Sequence, residues 1–257
     1  MTVDCNRQIT DALAALDREP ERVQDFLAVD QACVAQLVAL DAGCAAALAA
    51  AARTALANAR DEASEYKLQA LIRALFQRKD PAALDLVVEA LASATATDKE
   101  SYLTFLLEFD DPRVASAVLA FATARLARAD GHANEDWALI KAIEALRYYR
   151  IEQAAPVLIG RLGARAERER REIIDFFAEL DLRSAAPAFT ERLEREDDPD
   201  NLAAIAAALA SWHYVAALPV LQRLRDTGAA RDDGHLRDAV TDAIARLAGT
   251  APGAVTP

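Results

Sequence analysis

Histidine is scarce in this chain, and its scarcity removes most metal and acid–base chemistry. Only His132, His213 and His235 occur, with no His-Glu-x-x-His and no His-x-His among them. Glycine is scarce too, at eight residues, and neither a glycine-rich phosphate loop nor a Gly-x-Ser-x-Gly turn is present. Cysteine is limited to Cys5, Cys33 and Cys44. An odd number without a Cys-x-x-Cys argues against a disulfide framework and predicts buried thiols in a reducing compartment. Long apolar runs are missing: Ala45 to Ala52 is bracketed by Asp41 and Arg53, well short of the ~20 residues of a membrane span. Met1-Thr2-Val3-Asp4 carries neither a basic n-region nor an apolar h-region, so no signal peptide is expected. These features together predict a cytoplasmic protein.

Positive charge is outweighed. Lys and Arg number 29 against 41 Asp and Glu, a formal charge of −12. That balance disfavours nucleic acid and anionic membrane surfaces as partners. The nearest approach to a basic patch, Arg165, Arg168, Arg170 and Arg171, alternates with Glu167, Glu169 and Glu172. It reads as a solvated helix start with ion pairs one turn apart. Asp130, His132, Glu135 and Asp136 lie close together in sequence, and a solvated loop accounts for them better than a cation site. No metal and no cofactor is expected.

What the chain does have is alanine, the best helix former, and a stretch that recurs. Ala154-Ala155-Pro156-Val157-Leu158-Ile159-Gly160-Arg161-Leu162 returns at Ala185 to Leu193 and again at Ala216 to Leu224, offset by 31 residues both times (154 to 185, 185 to 216). A fixed period of this size is the mark of a helical array. The Ala-Ala-Pro entry suits a helix start, because proline is tolerated in the first turn. Leu158, Ile159 and Leu162 then form one apolar face, matched by Phe189, Thr190, Leu193 and by Val220, Leu221, Leu224. Apolar-periodic runs precede each copy, at 137–149, 168–180 and 202–212. The unit is therefore helix, tight turn, helix, and stacked pairs make a continuous core.

Earlier pairs are traced at 66–91 and 101–119. With Asp85, Ser116, Pro156, Pro187 and Leu218 as equivalents, the spacings are 31, 40, 31 and 31. One unit thus carries an insertion of about nine residues, placed at Arg128 to Asn134, with Asn134 as N-cap of the next helix. Asp80-Pro81, Asp111-Pro112, Ala155-Pro156 and Ala186-Pro187, with their downstream leucines, resemble the HEAT-like repeats of bacterial proteins over roughly residues 60 to 248. The resemblance implies an all-α, right-handed α-solenoid of stacked antiparallel helix pairs, with the second helices lining a concave surface.

Residues 1–60 do not fit the period and read as an N-terminal helical cap or degenerate repeats. Helices are expected at 4–16, from Pro20 through Leu27, from Asp30 (as cap) to Leu40, and at 44–59. The array runs over 61–248, ending in an amphipathic helix from His235 to Leu247 after a loop at 226–234. Residues 249–257 form a tail.

Two sets of residues stand out for binding. Arg161, Arg192 and Arg223 recur at the 31-residue spacing, off the apolar face, with Arg165, Glu191 and Gln222 beside them. Arginine pairs with carboxylates at two points, so the ladder reads either as a groove for an acidic segment or as a surface residue copied by duplication. The turns Tyr148-Tyr149-Arg150 and Trp212-His213-Tyr214 supply aromatics and arginine, residue types enriched at binding hot spots. Trp212 reads as a staple between neighbouring helices; Tyr149, Arg150 and His213 are expected to be exposed. The expected function is non-catalytic: a scaffold or adaptor that holds another protein in its groove, one version being an acidic immunity-type inhibitor. A chromophore lyase or isomerase, or another small-molecule enzyme, is the alternative that the resemblance implies. A nucleic-acid-binding member is the third.

Overall fold

The structure is a computed structural model and describes residues 4–17, 23–128, 136–164 and 166–250. It is all-α across these residues. The chain divides into two compact units, Met1–Ala117 and Val118–Pro257. The first contains α1 (Cys5–Leu13), a 3₁₀ turn (Ala14–Asp17), α2 (Val23–Val38), a 3₁₀ turn (Ala42–Cys44), α3 (Ala45–Asn58), α4 (Glu62–Gln77), α5 (Ala82–Ala92), α6 (Lys99–Leu106) and the start of α7 (Pro112–Arg128). The second contains the rest of α7, α8 (Trp137–Tyr148), α9 (Ala155–Ile159), α10 (Glu167–Glu179), α11 (Ala186–Leu193), α12 (Pro199–Ser211), α13 (Leu218–Arg225), α14 (Gly228–Asp232) and α15 (Gly234–Thr250). Residues 1–60, expected as a helical cap or degenerate repeats, fall in the same compact unit as α4 and α5.

Aspartate starts many of these helices. Asp4, Asp61, Asp98, Asp136 and Asp198 each accept a hydrogen bond from the backbone N–H three residues on, at Arg7, Ser64, Ser101, Leu139 and Asn201. Each satisfies a donor that the first helical turn leaves open and places negative charge at the positive end of the helix dipole. Part of the acidic excess is therefore structural. Asp136 takes the capping role expected of Asn134; Asn134 lies outside the described residues, as do Ala129 to Ala133 of the expected insertion, Glu135, and Ala251 to Pro257 of the tail.

In the first unit α4 packs against α2, α3 and α5, burying Leu68, Leu71, Ile72 and Leu75 completely or nearly so. Two expectations for this unit are overturned. α2 is one helix through Asp30, which caps nothing. Its carboxylate is buried and pairs at two points with Arg73 of α4. An acidic side chain with a guanidinium partner has no need of a helix start. The second concerns cysteine: Cys5 and Cys44 form a disulfide across 39 residues of sequence. Only Cys33 keeps a free thiol. Folding brings the Cα atoms of Cys5 and Cys44 to 5.4 Å, a proximity that sequence spacing does not reveal.

In the second unit α12 packs against α15, α11 and α10, and α10 against α8. A chain of rings runs through it. Phe176 meets Phe177 at 5.4 Å between centroids, Phe177 meets Phe189 at 5.8 Å, and Phe189 meets Trp212 at 5.1 Å. Trp212 is buried and joins the end of α12 to α11. The expected loop at 226–234 contains the short α14, Gly228–Asp232, between Thr227 and Asp233.

Three consecutive turns in this unit share one geometry. α8, α10 and α12 end with Arg150, Asp181 and His213 at φ of 53°, 54° and 55°. After each, the next residue donates back five positions: Ile151 to Leu146, Leu182 to Phe177, Tyr214 to Leu209. This is the Schellman closure of a helix C-terminus. A 3₁₀ turn follows, then α9, α11 or α13 with Pro156, Pro187 or Pro219 at the second helical position. Lys79, with φ 56°, closes α4 in the same way, Asp80 donating to Leu75. The spacing of the three turns is 31 (150 to 181) and then 32 (181 to 213). The uniform 31-residue register is therefore corrected: Pro219, not Leu218, matches Pro187. The extra residue falls between Leu193 and Asp198, where the step is five residues against four from Leu162 to Ala166.

No single helix among the described residues is long and apolar enough to cross a membrane. The segments Leu27–Val38 and Ala42–Asn58 together pass on length and composition, but the chain bends by 106° between them.

Candidate functional site

The arginine ladder is the first expectation to place. Arg161 follows α9 and is half-buried, with Nε 3.0 Å from Oε1 of Glu169 on α10 and Nη2 2.9 Å from the same oxygen. Arg192, on α11, is also half-buried, its Nε 2.9 Å from Oε2 of Glu196. Arg223, on α13, is exposed, its Nη2 2.6 Å from Oε1 of Glu194. The expectation of solvent exposure is met at Arg223 and not at Arg161 or Arg192. The one-residue slip explains the difference: in the structural register Leu224, a buried residue, stands where Arg192 stands in the preceding pair. Glu191 and Gln222 are exposed, and Glu191 pairs with Arg195 at 3.0 Å. Arg165 lies outside the described residues.

Behind the ladder is a buried ionic network that the sequence pattern hid. Arg170 is expected on a solvated helix start. Instead its side chain is 6% exposed and meets the fully buried Glu196 at two points, 2.8 and 2.6 Å. It also donates to the carbonyl of Ala164 at 3.1 Å. Glu196 further accepts from Arg192 and from the backbone N–H groups of Asp197 and Asp198. Burial by itself pushes the Glu196 carboxyl up, but the hydrogen bonds from Arg170, Arg192 and Asp198 overcome it and pull it down to about 2. Glu169 shifts the other way. Burial raises its carboxyl, and Arg161 offsets that only in part. The alternating Arg and Glu of 165–172 has the look of exposed i,i+4 pairing, so nothing in the pattern marks Glu169 and Arg170 as turning inward.

The turn edge is more open. Tyr148 is 67% exposed and lies edge-to-face on Tyr149, with centroids 5.0 Å apart. Arg150 and His213 are exposed, and Tyr149 and Tyr214 are half-buried. Asp181, between Arg150 and His213 in the series of turns, is held by Arg183 at 2.9 Å, and that bond draws its carboxyl below the usual range. On the adjoining helices Arg147 faces Glu172, Asp175 and Glu179 at 3.4 to 3.6 Å. Burial raises the Glu172 carboxyl against the pull of Arg147. At the other end of α8, Trp137 is 42% exposed and carries the guanidinium of Arg168 at 4.8 Å from its ring centre. The second unit therefore presents partly exposed aromatic and arginine side chains at both ends of α8.

No group of three or more His, Cys, Asp or Glu side chains among the described residues has the arrangement of a metal site. A cleft of about 500 Å³ opens in the first unit between α1, α3 and α4, with Ile9, Leu13, Ala51, Ala55 and Leu71 among its walls. Its walls mix alanine and aliphatic side chains with polar ones, Asn6, Thr10, Thr54, Asn58, Ser64 and Lys67. No family model matches the chain, and neither a curated protein nor a solved structure matches it.

Proposed function

We propose that the chain is a non-catalytic interaction protein, an α-solenoid of HEAT-like helix pairs that binds another protein through the turn edge and second helices of its C-terminal half. The observation that carries this reading is Tyr148. A 67% exposed tyrosine, braced by Tyr149 and beside Arg150, is the arrangement of a binding anchor rather than of a core residue. The matched turns at Arg150, Asp181 and His213 support it, because they set down the same edge three times. Arg223, Gln222 and Glu191 extend the surface onto the second helices, while Arg161 and Arg192 serve the fold beneath it. The immunity-type version, in which an acidic protein covers a basic partner, rests on the charge of −12. The small-molecule alternative calls for an apolar pocket lined by aromatics, and the cleft between α1, α3 and α4 is lined instead by alanine and aliphatic side chains mixed with polar ones such as Asn6, Thr54, Asn58 and Lys67.

A photo-crosslinking amino acid placed at Tyr148, and at exposed Ala120 of α7 as control, tests the reading in the native cell. One protein captured at 148, lost on Arg150→Glu and absent at 120, is the expected result. Equal capture at the two positions would sink the turn edge as the binding surface.

A further inference from the structure

The disulfide ties two helices at their beginnings. Cys5 opens α1, and Cys44 immediately precedes α3. From that tie α1 runs out as one wall of the 500 Å³ cleft, its Ile9 and Leu13 across from Ala51 and Ala55 of α3, with Leu71 of α4 also lining it. A helix of nine residues is well below the ~12–15 at which isolated helices become even marginal in water. Beyond the disulfide, α1 is held by buried Ile9 and Ala12 and, through the following turn, by Leu16 and by the ion pair of Asp17 with Lys67 of α4. Most of the core of the unit is supplied by α2, α3, α4 and α5, where Leu37, Leu48, Leu71 and Leu86 are fully buried. The tie therefore holds a weak element over a cavity that the rest of the unit already frames.

We propose that the Cys5–Cys44 disulfide is a redox latch on α1: exchange with an external dithiol opens it, releasing α1 and exposing the cleft between α3 and α4, and the reverse exchange with that carrier's own disulfide closes it. The steps balance without any other partner. A thiolate of the dithiol attacks Sγ of Cys5, which is half-buried, the S–S bond breaks, and fully buried Cys44 leaves as thiolate and takes a proton. The second thiol of the reductant attacks the mixed disulfide, forming the reductant's own disulfide and freeing Cys5 as a thiol. Two electrons and two protons pass to the chain. Cys33 does not compete. It is 1% exposed, and burial with the nearby Asp30 carboxylate pushes its thiol up to about 11, so it supplies no attacking thiolate.

Hydrogen exchange on the full chain tests the latch, with thiol labelling to count free cysteines before and after dithiothreitol. On reduction the amides of residues 5–13 are expected to lose protection by at least about tenfold while α4 and α12 keep theirs, and to regain it after reoxidation. Cys5→Ser is expected to show the open pattern at once and to gain nothing from reductant. Protection of α1 that survives reduction would mean packing alone holds it, and the latch fails. Loss of α4 together with α1 would make the bond a support of the whole unit, which also overturns the proposal. Two or more thiols reactive in the folded chain before reduction would remove the disulfide itself.

Discussion

Arg170 and Glu196 meet across 26 residues of sequence, two hydrogen bonds of 2.8 and 2.6 Å joining side chains that are 6% and 0% exposed. One partner lies in the first turns of α10 and the other in the link that follows α11. The pair thus fastens a first helix to the far end of the next second helix, at the link that carries the extra residue.

Removing one member is expected to be costly, because the other is left charged in the interior. Arg170→Met should destabilise the second unit by about 3–5 kcal/mol, measured by urea unfolding at pH 7. Glu196 also gives the unit an acid dependence. Its folded value, about 2, lies below the ordinary 4.5, so its contribution is present above pH 4.5 and is lost as pH falls toward 2. That contribution is on the order of 3 kcal/mol. Glu196→Gln should flatten the stability profile between pH 4.5 and 2. Glu169, shifted upward by burial, acts in a different window: its charged form costs stability above pH 4.5, a cost relieved as pH falls to 4.5, and Glu169→Gln should remove that dependence without altering the loss between pH 4.5 and 2.

Three turns hold a side chain where glycine is at ease. Lys79, Arg150 and His213 sit at φ of 53° to 56° at the C-terminal ends of α4, α8 and α12. The left-handed region brings Cβ close to the backbone, and glycine relieves that while giving more freedom to the unfolded chain. Each change to glycine is expected to stabilise by about 0.5–1 kcal/mol, near additively. Calorimetric melting of the single and combined variants checks it. Asp181→Gly should gain least, because the Asp181–Arg183 pair is lost with it. If binding falls with Arg150→Gly while stability rises, the side chain was kept for contact.

How far the fold can be read from sequence follows from which residues carry information. Proline is the reliable marker: Pro156, Pro187 and Pro219 all sit at the second position of their helices. The alanines around them match at either offset, and aligning Ala216-Ala217 with Ala154-Ala155 forces the wrong register by one. That slip makes Arg223 look like a third rung. The exposed turn residues Arg150 and His213 are legible, because the end of one apolar run and the start of the next bracket them. The inward turn of Glu169 and Arg170 is not, since their burial depends on residues of other elements, Glu196 above all. The same holds for Cys5 and Cys44, which only the packing of α1 on α3 brings together.

Tyr102 links α6 to α4 through its hydroxyl, which donates to Oε1 of the buried Glu65 at 2.7 Å. Glu65 also accepts from the backbone N–H groups of Thr97 and Asp98. Burial, with the Glu65 carboxylate beside it, pushes the Tyr102 phenol well above its ordinary range, and Tyr66, bonded to Glu62, rises to about 12. The unfolded chain ionises both near pH 10 and the folded chain does not, so stability falls as pH rises above 10. Absorbance at the phenolate band should show Tyr102 titrating only as the first unit unfolds. In Tyr102→Phe that unfolding should move to higher pH, while stability at pH 7 drops by about 1–2 kcal/mol from the lost hydrogen bond.

The three arginines of the sequence ladder are expected to separate on charge reversal. Arg223→Glu meets Glu194 in an exposed pair, 64% and 52% accessible, where salt and water screen the repulsion. Its effect on stability should stay within about 1 kcal/mol. Arg161→Glu sets a second carboxylate against buried Glu169 and removes the guanidinium that pairs with it, and should cost about 3 kcal/mol or more. Arg192→Glu should fall between them, because Glu196 retains Arg170. Urea midpoints rank the three directly. A partner lost with Arg223→Glu in a fully folded chain assigns that arginine to the contact surface. A partner lost only with Arg161→Glu or Arg192→Glu, in step with lost stability, assigns those two to the fold.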